Sequence, residues 1–251
     1  MPSDKDGSSR VFSIDSATEA AIGRMTRSDH CACLAVRSKK GVPLVPNIHA
    51  EAQDQSVAGW GKVTNLIEQL ARTAASILEP SAQIPWEDRM RVITLPPQVA
   101  SLTHVVGIRL YGSHLRRLPP EIGRMTSLRE LDIYTSYSLH WLPYEVSRCA
   151  NLSVSRMSTR ALYGNKKTRL PFPRLSRPIE SLLPSSCSVC DQPFGERTPQ
   201  LFWTTQRVGT DDVPLLVHSC SSACVDLIPS APSGFFERPH KGGGGIGMPV
   251  A

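Results

Sequence analysis

The chain has 251 residues, 40% of them hydrophobic and 20% charged. That describes a globular protein of one large or two small domains, lean enough in apolar residues to contain unfolded segments. The net charge of +6 is too modest to declare a nucleic-acid partner by itself. No run approaches the roughly 18 apolar residues of a membrane span. The polar start, MPSDKDGSSRVFSIDS, lacks the basic start and apolar stretch of a secretory signal. Seven cysteines, an odd number with four of them in metal-ligand spacing, point to reduced thiols and a cytoplasmic home.

Residues 1–55 read as a largely disordered N-terminal extension. Within it, Asp15–Arg27 could form a short helix, and the prolines of Pro43–Ile48 favour extended chain. Cys31 and Cys33 lie in an HCAC run that could be a metal fragment or a thiol pair, although C-x-C alone is a poor signal. The pattern sharpens over 56–92, which is expected to be a helical cap. Trp60, Val63, Ile67, Leu70, Ala74 and Ile77 recur at steps of three or four and make one apolar helix face. Ser56 suits the N-cap and Pro80 closes the helix. Pro85, with Glu87 and Asp88 behind it, suits a second helix start. An apolar stripe of this kind more often packs on its neighbours than docks a partner.

From 93 to 165 the chain repeats itself. It reads LPPQVASLTHVVGIRL from Leu95, LPPEIGRMTSLRELDI from Leu118 and LPYEVSRCANLSVSRM from Leu142. One unit carries Val105, Ile108, Leu110, Ser113, Leu115, Leu118, Pro119 and Ile122. The next carries Leu128, Leu131, Ile133, Ser136, Leu139, Leu142, Pro143 and Val146. The step is 23 residues from Val105 to Leu128 and 24 from Leu128 to Leu152. This pattern resembles the bacterial-type leucine-rich repeat. A third unit degenerates, with Ser155 where Leu belongs and Arg160 at the position usually held by Asn. Ser113 and Ser136 also replace that Asn, whose side chain bonds the turn backbone.

The resemblance implies an α/β fold: a short leucine-rich-repeat solenoid whose units, unable to bury an apolar side alone, stack into one core between end caps. The helical segment 56–92 is the candidate N-terminal cap. Residues between the inward leucines then face out on adjacent parallel strands, which sets Arg109, Asp132 and Arg156 side by side. Tyr111 and Tyr134 follow two positions on, with Ser158 as third member. This row is a candidate binding strip for a protein partner, or else a ladder that satisfies its own charges. Trp141 is a further contact candidate or a local packing residue, and Cys149 falls at an inward position as a small core residue.

Residues 166–184 form a basic, Pro-rich linker. From Val146 to Ile179 there is no acidic residue, and Tyr163 and Phe172 are interleaved among the cations. This makes nucleic-acid binding through residues 156–177 an alternative, cations meeting phosphates and rings stacking on bases. The other reading of the stretch is a solvated, extended linker.

The segment 185–230 places Cys187 and Cys190 at C-x2-C spacing and Cys220 and Cys224 at C-x3-C spacing. Two such clips supply the four soft donors of a tetrahedral zinc site. A disulfide, or His218 in place of one cysteine, are the competing readings. Between the clips, LFWTTQRV and VPLLVHS read as strands around a GTDD turn, and SSACVDLI reads as a helical turn or two. Knuckle, hairpin and helix in this order resemble a treble-clef zinc finger, which implies a structural zinc with no open coordination position. The tail, 231–251, holds four consecutive glycines and is expected to be disordered. No nucleophile with its base, no paired-carboxylate motif and no phosphate loop stands out; KGGGGIG has no strand before it or helix after it. The expected role is a non-enzymatic protein–protein interaction module.

Overall fold

The computed structural model describes residues 47–168 and 170–243, which fold as a mixed α/β protein. The expected helix at Asp15–Arg27 and the Cys31 and Cys33 pair lie outside the described residues. Helix α1 (Ala58–Ala71) is followed by strand β1 (Ile77–Leu78), the short helix α2 (Trp86–Arg89), and strands β2 (Gly107–Arg109), β3 (Glu130–Ile133), β4 (Leu142–Pro143) and β5 (Val154–Met157). A long hairpin, β6 (Gln200–Val208) and β7 (Asp211–Ser219), leads into α3 (Ser222–Asp226). One sheet is parallel, in the order β1-β2-β3-β5; the other is mixed, in the order β4-β7-β6. No helix among the described residues is long and apolar enough to cross a membrane.

The repeated sequence accounts for the parallel sheet. Ile108 pairs with Leu131 and Leu131 with Ser155, at the 23- and 24-residue steps of the spelling. Inward residues Val105, Ile108, Leu110, Leu115, Leu118, Ile122, Leu128, Leu131, Ile133, Leu139, Leu142 and Val146 are all buried in one core. Each Leu-Pro step opens a 3-10 helix on the return path: Pro97–Ser101, Pro120–Arg124 and Tyr144–Arg148. Proline suits this entry because its φ is already set and it has no N–H to leave unpaired. The Ser113 and Ser136 hydroxyls hydrogen-bond each other at 2.7 Å, so the two turns are tied unit to unit.

Helix α1 buries Val63, Leu66, Ile67 and Leu70 on the first unit's side of that core. It is shorter than its apolar stripe implies. Ser56 donates to Asp54 at 2.6 Å instead of capping, and the helix ends at Ala71. Ile77 leaves the helical pattern to pair with Gly107, so β1 adds an edge strand that the spacing does not announce.

The cysteine-bearing hairpin is not a separate body. Leu142 of β4 pairs with Leu215 of β7, and Val208, Val213, Leu215, Val217 and Ile228 belong to the same core as the repeat leucines. Ser155 explains why the third unit breaks the pattern. Its hydroxyl lies 2.8 Å from the Val208 carbonyl and 2.6 Å from the Asp211 carboxylate, and accepts the Thr210 N–H at 3.0 Å. The hairpin turn sits on the last repeat strand there. Gly209, at φ +58°, comes so close that a Cβ would stand 2.7 Å from the Ser155 nitrogen.

Three stretches expected to be loose make specific contacts. Residues 47–55 are irregular, yet His49 is buried and stacks on His140, and the Gln53 side chain accepts the Ile93 N–H. In 166–184, Phe172, Leu175 and Leu182 join Trp141, Tyr163 and Trp203 in a second apolar cluster. The tail returns as an edge: Trp203 and His240 form an antiparallel bridge, and Leu175 donates to the Lys241 carbonyl. Gly242, at φ +67°, passes Pro173 so closely that a Cβ would lie 2.1 Å from its carbonyl oxygen. At Gly242 close approach, not flexibility, thus calls for glycine.

Candidate functional site

Cys187 and Cys190 lie on a tight turn closed by a bridge between Ser186 and Pro193 and by the Asp191 N–H, which donates to the Cys187 carbonyl at 3.0 Å. Asp191 completes the turn with a left-handed φ of 59°, a conformation that Asp tolerates better than most side chains. Cys220 follows β7, and Cys224 sits in α3, whose N-cap Ser221 accepts the Cys224 N–H at 3.2 Å. The four sulfurs lie within 4.8 Å of one another. Cys190 and Cys220 are 3.7 Å apart and Cys220 and Cys224 are 3.6 Å apart. A tetrahedron with ~2.3 Å metal–sulfur bonds has edges of roughly 3.8 Å, whereas a disulfide needs ~2.05 Å. The four cysteines are unpaired, and the cluster could hold a metal ion. His218 is not among the clustered donors.

The electrostatics fit a cationic occupant. Burial opposes ionisation of Cys187, but the backbone N–H groups of Cys190, Val189 and Cys220 outweigh it and bring the thiol down to about 7. Cys224 has the Ser221 hydroxyl to favour its thiolate, yet burial and the adjacent sulfurs push it up to about 12. Four sulfurs this close resist shared ionisation, and a divalent cation relieves that repulsion.

The knuckle is latched to the repeats by Arg148, expected only as one cation of the basic stretch, and by Arg124 and Asp191, which the sequence does not mark. Arg148 donates to Asp191 at 2.9 Å and to the Cys187 and Ser188 carbonyls at 3.0 and 2.7 Å. Arg124 pairs with the other Asp191 oxygen at 2.7 Å. Both arginines end a 3-10 helix, at equivalent positions in successive units. Burial opposes the Asp191 charge, but Ser186 and the two arginines hold its carboxyl below the usual range. The available signal was the repeated arginine spacing, which names no partner.

The row of outward residues is where the repeat register puts it. Arg109 stands opposite Asp132, and Asp132 opposite Arg156. Asp132 pairs with Arg156 at 3.6 Å, while Arg109 turns to Glu130 at 3.4 Å and Glu79 at 3.7 Å. The Tyr111 and Tyr134 rings are 6.0 Å apart, and the Arg156 guanidinium lies 4.8 Å from the Tyr134 ring centre. Tyr134 keeps 38% of its surface exposed, with Tyr137 and Val154 also open to solvent. Ser158 does not extend the tyrosine pair; its hydroxyl accepts the Thr135 N–H at 2.9 Å. Trp141 is buried edge-on against Trp203 and is not part of the exposed row. Cys149 is likewise buried, and burial pushes its thiol up to about 11.

The basic stretch is rearranged by folding. Tyr163 and Phe172, the rings that would stack on bases, are buried in the second apolar cluster. Arg148 is spent on Asp191 and Arg156 on Asp132, and Lys166 lies over Phe235. Compared with protein-family models and with curated proteins, the chain matches none.

Proposed function

We propose that this chain is a non-enzymatic interaction protein in which a short leucine-rich-repeat array presents one face to a protein partner. The observation that carries this reading is the row Arg109, Asp132 and Arg156 on adjacent parallel strands, with Tyr111 and Tyr134 just past the ends of two of them, their rings 6.0 Å apart and Arg156 over Tyr134. Rigid aromatics beside a guanidinium are the make-up of interface hot spots. Cys187, Cys190, Cys220 and Cys224 hold a structural zinc in a treble-clef-like module that closes the C-terminal end of the array. The sulfur spacing and the Ser155 and Arg148 contacts support that role. A nucleic-acid interface over 156–177 has less support, because its rings are buried.

The test is a crosslinking pull-down with the full chain and with Tyr111→Ala/Tyr134→Ala. A partner captured by wild type and lost with the double variant, at unchanged melting temperature, is the expected result. Equal recovery of every captured protein rejects the proposed face. Binding that collapses between about 50 and 200 mM salt points to phosphate recognition instead.

A further inference from the structure

A cleft of about 290 Å³ opens where the Leu-Pro steps of successive units meet the segment before α1 and the hairpin. Trp60, Leu95, Leu118 and Leu216 supply its apolar wall. Arg117, Trp141, Glu145 and His218 also line it, and each is at most 6% exposed. Arg117 Nη1, Trp141 Nε1, both carboxylate oxygens of Glu145 and His218 Nε2 are shut off from solvent with no hydrogen-bond partner. Of the charges whose fields reach these groups, Glu51 pairs with Arg116 at 2.6 Å and Arg148 with Asp191 at 2.9 Å, while Glu121 lines the cleft itself and adds a second negative charge near Glu145.

Folded proteins rarely leave buried polar atoms unsatisfied, and several around one cavity mark a place that another molecule fills. Here a guanidinium and a carboxylate line the same cleft without pairing with each other, and an indole and an imidazole line it too. We propose that the cleft binds a small zwitterion of the amino-acid class, its lining side chains turning inward to bring Arg117 and the Trp141 N–H to the carboxylate and Glu145 and His218 to the ammonium, with the ligand's side chain along the apolar wall. The volume sits at the small end of ligand pockets, roughly 300–1,000 Å³, and suits an amino acid better than a nucleotide. Burial pushes the Glu145 carboxyl up to about 7; the Ser188 hydroxyl is near enough to oppose this without reaching hydrogen-bond geometry. An ammonium group supplies the counter-charge that Glu145 lacks.

The full metal-loaded chain is titrated calorimetrically with L-leucine and L-phenylalanine, and with the amine and the carboxylic acid that each becomes on losing one charged group. At least one amino acid is expected to bind at one per chain, and at least about tenfold more tightly than either of its singly charged analogues, a difference of ~1.4 kcal/mol. Arg117→Met should abolish the preference over the amine, and Glu145→Gln the preference over the acid. No binding by either amino acid below about 10 mM, or binding no tighter than the analogues, overturns the proposal and leaves a water-filled cleft. Folded variants with unchanged preferences overturn it as well. If a variant does not fold, the wild-type preference decides alone.

Discussion

Arg124 and Arg148 occupy the same position in successive units and share one partner, Asp191, yet their loss should cost very different amounts. Arg148 is about one-quarter exposed and donates to Asp191 and to two backbone carbonyls of the knuckle. Arg148→Met keeps the aliphatic stem but strands the carbonyls of Cys187 and Ser188, residues that are themselves buried. Charge-assisted hydrogen bonds contribute ~1.5–3 kcal/mol each before discount for exposure. With partial exposure and relaxation, the total should be about 2–4 kcal/mol. Arg124, more than half exposed, makes one ion pair with Asp191. Arg124→Met should cost about 0–1 kcal/mol, the range for exposed pairs. For a folded region of this size, 1 kcal/mol moves the melting temperature by roughly 2–4 °C, so Arg148→Met should lower it by roughly 4–16 °C. Thermal and urea unfolding of the metal-loaded protein measure both. Losses that agree within about 0.5 kcal/mol, or an Arg148→Met cost below about 1 kcal/mol, would refute the latch.

Glu145 gives a pH signature. Its folded pKa of about 7 lies above the usual carboxylate value, so its neutral form favours folding below the unfolded pKa and that contribution is lost as pH rises toward 7. Glu145→Gln should therefore stabilise the ligand-free protein by about 2–3 kcal/mol at pH 8 and by little at pH 4. Equal effects at both pH values, read by urea unfolding, contradict the burial argument. Ser155→Leu restores the repeat spelling but should destabilise by about 2–3 kcal/mol, because it removes the hydroxyl that receives the hairpin turn and crowds Gly209. A neutral or stabilised variant in thermal melts would show that the turn does not dock there.

The parts legible in the sequence are those with a local period. The spacing of Ile108, Leu131 and Ser155 foretells which residues meet across the parallel strands, because a repeated unit has one in-register way to share its core. The two cysteine clips are legible for the same reason: a C-x2-C turn and a C-x3-C helix start are short-range geometries. What stayed hidden depends on partners far away in the chain. Ser181 donates to the Ala50 carbonyl, Tyr163 to the Asn47 carbonyl, and His240 bridges to Trp203. Proline and glycine in those stretches suggest looseness by composition, yet they serve close backbone approach. Ser155 looks like decay of the repeat until the hairpin turn is placed on it. Asp191 carries no signal beyond its neighbour Cys190 until Arg124 and Arg148 are seen to converge there.

Native mass spectrometry of the full chain, purified under reducing conditions without added metal, tests most directly whether four thiols converge on one ion beside the repeats. One zinc per chain is predicted, lost on Cys187→Ser or Cys224→Ser together with a fall in melting temperature. A metal-free mass with undiminished thermal stability, or a Cys–Cys bond in place of the ion, contradicts the account.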